Sequence, residues 1–225
     1  MNTQIESSKI EDGQATRNTE RKFFLYAAAI STLFGIVYFL GLMGKLFVNG
    51  NIHAQSSPAI SMISAAIGLL WVVTLVILFV ALRRLLPRRS EIYADLGLVF
   101  MVLLAASSSV NWYVQLTLVP KITQSGDTLL LSLIDIHNVN SIVYAMEHLS
   151  WSLFYGLATI FMALAIGGTR MDTWIRWLLI AGGVMSILYI PGIMIANQFL
   201  IDLGYYAAGV LLPLTTILLI IRFRK

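Results

Sequence analysis

Six apolar runs, each about 18 residues or longer, leave this chain few ways to fold. They extend from Phe23 to Gly44, Pro58 to Leu82, Ile92 to Leu118, Asn138 to Ile166, Trp174 to Asn197 and Gly204 to Ile221. A helix of about 20 such residues crosses a hydrocarbon core of about 30 Å. Basic residues fall almost wholly on alternate sides of the runs. Lys9, Arg17, Arg21 and Lys22 precede the first, and Arg83, Arg84, Arg88 and Arg89 join the second to the third. Arg170 and Arg176 join the fourth to the fifth, and Arg222, Arg224 and Lys225 follow the sixth. Only Lys45 and Lys121 lie on the other side. Cytoplasmic flanks carry the excess of Lys and Arg, which predicts both termini in the cytoplasm. The expected architecture is all-α, a polytopic bundle of six transmembrane helices.

Composition supports a membrane chain and narrows its chemistry. The chain is 58% hydrophobic and 12% charged, far from a soluble globular domain. No stretch between the runs is long enough for a soluble module, so residues 22–225 form one transmembrane domain. The polar residues 1–21 are expected as a disordered cytoplasmic tail. Glu6, Glu11, Asp12 and Glu20 in that stretch spoil a basic signal-peptide leader. The absence of cysteine removes disulfides, thiolate metal sites and a cysteine nucleophile. The net charge of +4 is explained by membrane flanks, so no nucleic-acid partner is expected.

Prolines punctuate the runs. Pro58 suits the first turn of span two, Pro87 marks the basic turn and Pro120 is expected to end span three. Pro191-Gly192 interrupts span five, and Pro213 lies in span six near Thr215 and Thr216. Paired interruptions can mark a binding site in transporters; simple packing kinks are the plainer alternative. Thr128 to Asp135 is apolar but too short to span, which predicts a short helix in the outer interface or over the bundle mouth. Phe47 to Ser57 is polar and expected to be irregular. Ala27, Ser31 and Gly35 form a small-residue stripe for close helix packing, within the bundle or between copies.

Ionisable groups inside membrane spans are expensive, so they are the first functional candidates. Glu147 and His148 lie in run four, about 15 Å of helix from Asn138. His137, Ser141, Tyr144, His148, Trp151 and Tyr155 follow steps of three and four and are expected to share one helix face. Ser108, Asn111 and Gln115 give span three a polar face at similar depth. Tyr38, Tyr189, Tyr205 and Tyr206 also fall in the outer half, whereas the inner halves are plain. The candidate ligand set is Asn111, Gln115, Tyr144, Glu147, His148, Trp151 and Tyr189, around a cavity opening outward. Each has a bland counterpart. Trp112, Tyr205 and Tyr206 fit an aromatic belt; Asn111 and Gln115 fit interhelical glue; Glu147 and His148 fit a structural ion pair. Asp95 balances the nearby Arg88 and Arg89.

No catalytic motif is present: no GxSxG, HExxH, P-loop or GxGxxG. His53, His137 and His148 with Asp135 match no metal spacing, so neither metal nor cofactor is expected. The catalytic assignment is left unknown, with Glu147 and His148 as candidates for acid–base work on a lipid.

Asp135-Ile-His137-Asn138, Gly156, the Gly-Gly-Thr turn at 167–169 and Trp174 to Gly183 together resemble a bacterial family of six-helix integral membrane proteins, domain of unknown function 4386. The resemblance is detailed from Leu129 to Tyr189 and extends over the chain as topology. It implies a bacterial inner membrane and no established activity. Glu147-His148 has no counterpart in that pattern. In site composition alone, Glu, His, Trp and Asn within a bundle resemble the emopamil-binding class of sterol isomerases, whose helix order differs. The expected role is binding an amphipathic or lipid-like small molecule, as binder, sensor or transport component. An intramembrane enzyme and a structural or regulatory subunit are the alternatives. Membrane lipids are expected partners, and homo-oligomerisation is left open.

Overall fold

The computed structural model describes the backbone of residues 2–49 and 58–224, and the side chains of 14–41, 43, 44 and 59–224. The expected irregular segment Phe47 to Ser57, including His53, falls mostly outside these residues. The helices are α1 (Asn2–Asn49), α2 (Pro58–Leu85), α3 (Glu91–Ser125), α4 (Thr128–Ile134), α5 (Ile142–Leu149), α6 (Tyr155–Ala165), α7 (Arg170–Ile187), α8 (Tyr189–Met194), α9 (Gln198–Tyr206) and α10 (Leu212–Arg224). Two π-helical turns, Ser150–Phe154 and Ala207–Leu211, join α5 to α6 and α9 to α10. Six helical stretches among the described residues are long and apolar enough to cross a membrane.

The spans form a ring in chain order. α1 packs on α2, α2 on α3, α3 on α6 and α6 on α7; α7 packs on α10, and α10 closes the ring against α1. The outward faces are apolar: Tyr26, Leu33, Leu40, Ile63 and Val110 are all more than half exposed. A helical protein in water would cover such faces with charge, so these surfaces suit lipid. Phe24, Leu75, Met101, Tyr155 and Met162 fill the interior.

Several boundaries depart from the sequence expectation. Residues 14–21, expected in a disordered tail, continue α1 as helix. Glu20 meets Arg84, and Arg21 donates to the Arg224 carbonyl, so this turn is anchored by its neighbours. α3 runs through Pro120 to Ser125. The missing proline N–H costs one ladder bond near the helix end. Termination comes at Gly126, whose φ of 75° permits its N–H to cap the Ile122 and Thr123 carbonyls. Span four starts at Ile142, where the Ser141 hydroxyl accepts from the Tyr144 N–H. His137 therefore precedes the helix and does not share its face. Glu147 is about 7.5 Å along the axis from the helix start rather than about 15 Å. Asp95 is held by both nitrogens of the Arg83 fork, not by Arg88 or Arg89.

Spans four, five and six are each interrupted at a similar level. In span four the Ser150 and Ser152 hydroxyls bond back to the Met146 and His148 carbonyls, loosening the ladder where the π turn forms. Span five breaks at Leu188, before Pro191, whose ring cannot donate a helical bond. In span six the π turn lies just before Pro213, so the wider turn accommodates the missing N–H. Tyr155 links the irregular turns, its hydroxyl donating to the Ala207 carbonyl at 3.4 Å.

Candidate functional site

Glu147 and His148 are neighbours in sequence but belong to different clusters. Successive residues of a helix project about 100° apart. Glu147 turns toward α3 and is 6% exposed. Its Oε2 accepts from Ser108 Oγ and from Asn111 Nδ2, both at 2.9 Å. Its Oε1 accepts from the Trp151 indole N–H at 2.7 Å. A buried carboxyl costs several kcal/mol unless its oxygens are satisfied, and three donors satisfy them here.

Aromatic rings enclose this carboxyl. Trp151 lies 4.9 Å from Trp71 between ring centroids, and Tyr38 sits 5.5 Å from Trp71 and 5.9 Å from Trp112. The indoles occupy space that glycines leave open. A Cβ on Gly35 would come within 3.0 Å of Trp71, and one on Gly68 within 2.7 Å of Trp112. Trp112 is 6% exposed, which corrects its assignment to an aromatic belt. Tyr206 is 49% exposed and suits such a belt. Asn111 Oδ1 and the Trp71 and Trp112 indole nitrogens are buried with no hydrogen-bond partner among the described residues.

His148 turns to the other side of span four. Its ring stacks on Tyr189 at 4.6 Å with an interplanar angle of 11°, and its Nε2 is 3.2 Å from the Tyr189 hydroxyl. That hydroxyl also lies 3.2 Å from the Tyr144 hydroxyl. Tyr144 contacts the imidazole at 3.9 Å, and Tyr205 stands edge-on to both His148 and Tyr189. Tyr205 thus belongs to the interior cluster rather than to a belt. Tyr189 opens α8, directly after the break in span five, and Tyr205 directly precedes the last residue of α9 before the π turn of span six. Residues from three interrupted spans therefore meet at one imidazole.

Gln115 belongs to neither cluster. Its amide donates to the Ile134 carbonyl at 2.7 Å and accepts from the Ile136 N–H, fastening the loop after α4 onto span three. Asn138 adds a bond to the Ser132 carbonyl. α4 itself is capped by Asp127, and Leu129, Leu130 and Leu133 are exposed along it.

Sequence reasoning singled out Asn111, Tyr144, Glu147, His148, Trp151 and Tyr189, but missed Trp71 as the ring beneath Trp151. Its position was a signal: Trp71 is about 20 Å along α2 from Pro58, near mid-membrane, where an aromatic belt does not reach. Two cavities, of about 610 and 310 Å³, lie at the arginine-rich end of the bundle, away from both clusters. Among the described residues no three His, Asp or Glu side chains come together as a metal set. No family model, curated protein or solved structure matches the chain.

Proposed function

We propose that this protein binds an amphipathic or lipid-like small molecule in the outer half of its bundle, as a binder, sensor or transport component. Tyr144, His148, Tyr189 and Tyr205 supply hydroxyl and imidazole groups to the polar head, and the flanking rings receive the apolar part. The observation that carries this reading is the meeting of three interrupted spans at His148. Irregular backbone at membrane depth is tolerated where protein buries it or where it lines a polar site. π turns and broken helices recur at functional sites because they re-aim side chains and permit local rearrangement.

The basic flanks support cytoplasmic termini, with the His148 cluster toward the outside. α4, with its exposed leucines, then lies in the outer interface. The resemblance over Leu129 to Tyr189 supports a bacterial inner membrane. An acid–base enzyme built on a Glu147–His148 pair is the weaker reading, because the two side chains lie in separate clusters whose hydrogen bonds run to different helices.

Tryptophan quenching by a fatty alcohol brominated along its tail tests the proposal. Trp174 and Trp177, both exposed on the outside of the bundle, are first replaced by phenylalanine. The remaining Trp71, Trp112 and Trp151 report from inside the bundle. Saturable quenching that is lost in His148→Ala and Tyr189→Ala is expected. Quenching that rises only linearly with alcohol, or persists unchanged in both variants, refutes the binding site.

A further inference from the structure

We propose that the cavity at the arginine-rich end, between the first described turns of α1 and the end of α2, is a docking site for the headgroup of an anionic phospholipid. It has a volume of about 610 Å³ and is lined by Arg17 and Glu20 from α1 and by Arg84, Leu85 and Pro87. It lies at the opposite end of the bundle from His148 and does not depend on the function proposed above.

Depth is the first argument. Arg17 stands six residues before Phe23, where the apolar run begins, so about 9 Å of helix separates them. The headgroup layer is about 5–8 Å thick on each side of the hydrocarbon core. Arg84 sits in the last turn of α2, at the inner edge of that layer. The two guanidinium groups therefore bracket the level of lipid phosphates, and Leu85 and Pro87 wall the cavity at headgroup level.

Charge is the second. Two neighbouring arginines have acidic partners: Arg83 holds Asp95 and Glu91, and Arg222 meets Asp172. Arg17 has no ion-pair partner among the described residues, and Arg84 has only a long contact of 3.7 Å to Glu20. A phosphodiester accepts hydrogen bonds from such planar forks in pairs. Glu20 supplies an acceptor beside them, which suits the hydroxyls of a phosphatidylglycerol headgroup. Two cations against one anion leave the cavity net positive, which favours an anionic over a zwitterionic lipid.

The experiment follows thermal unfolding of the full chain in non-ionic detergent while lipid is added in mixed micelles. Phosphatidylglycerol, phosphatidylethanolamine, phosphatidylcholine and inorganic phosphate are compared. At about one kcal/mol for each basic residue near an anionic headgroup, two arginines give a preference of about thirtyfold in half-saturating concentration for phosphatidylglycerol. Arg17→Gln/Arg84→Gln should reduce that preference to near unity, whereas Arg88→Gln/Arg89→Gln should retain most of it. Arg17→Gln alone, which breaks no ion pair among the described residues, should lower it about fivefold and serves if the double variant does not fold. Equal stabilisation by phosphatidylcholine or phosphatidylethanolamine, or an undiminished preference in the Arg17 variant, overturns the proposal. Saturation by inorganic phosphate alone also overturns it, by identifying a free-anion site.

Discussion

Replacing Glu147 with glutamine is the sharpest test of the interior geometry. Glutamine is close to isosteric, so it would be nearly silent if the side chain needed only one acceptor. The carboxyl accepts three hydrogen bonds over two oxygens: Ser108 and Asn111 on one, Trp151 on the other. Glutamine keeps one oxygen and turns the other position into an N–H₂ donor. Its best orientation holds Ser108 and Asn111 and sets the amide against the Trp151 N–H. One bond is then lost and two donors face each other in a buried site. Leaving a buried donor unsatisfied costs about 1–3 kcal/mol. The expected loss for Glu147→Gln is therefore about 1–3 kcal/mol, measured by reversible unfolding in mixed micelles. A double-mutant cycle with Trp151→Phe isolates the bond, because phenylalanine has no N–H to oppose. The cycle should return a coupling of about 1 kcal/mol or more. A Glu147→Gln variant as stable as the parent, with no coupling to Trp151, refutes the three-donor arrangement.

Further expectations concern packing, the ion pair and topology. A Cβ on Gly183 would lie 2.6 Å from the Gly156 carbonyl oxygen, so Gly183→Ala should push spans four and five apart and cost about 1–3 kcal/mol in the same unfolding assay. Asp172 is 1% exposed and lies 2.5 Å from Arg222 Nε, in an ion contact rather than an aligned hydrogen bond; Arg222→Leu should cost about 3–5 kcal/mol, and Asp172→Asn in that background should recover part of it. A reporter fused after Lys225 should behave as cytoplasmic and one inserted near Ser125 as external; the reverse pattern refutes the assigned orientation.

The six spans were legible because membrane burial writes itself as long uninterrupted apolar runs, a signal stronger than any local propensity. The pairing of Asn111 with Glu147 was also legible, since a buried carboxyl needs donors and span three offered them at a similar depth. The division of labour between Glu147 and His148 was hidden by treating adjacent residues as a unit, although helical geometry already separates their directions. The contacts of Tyr38 and Trp71 with the site follow from the ring order of the helices, which no periodicity in one segment contains. Gln115 was placed by its spacing on the right helix but serves the loop after α4. Pro120 misled because a proline near a helix end costs little, and the true stop needed the positive φ of Gly126. The π turn of span four had no proline to announce it; its serines carried the only local signal.

The closure of the ring by its first and last spans sets the order of assembly during synthesis. Arg21 and the Arg224 carbonyl that it meets are 203 residues apart, so the seam between α1 and α10 cannot form until the residues between them have been made. At about 5–20 residues per second, the ribosome needs on the order of 10–40 s for that length. Throughout this interval the face of α1 that will meet α10, including Thr32 opposite Thr216, must be held by lipid or by the insertion machinery. Unlike a bundle assembled from sequential hairpins, this one leaves α1 waiting for α10, and that face of α1 is open to a substitute partner until α10 has been made.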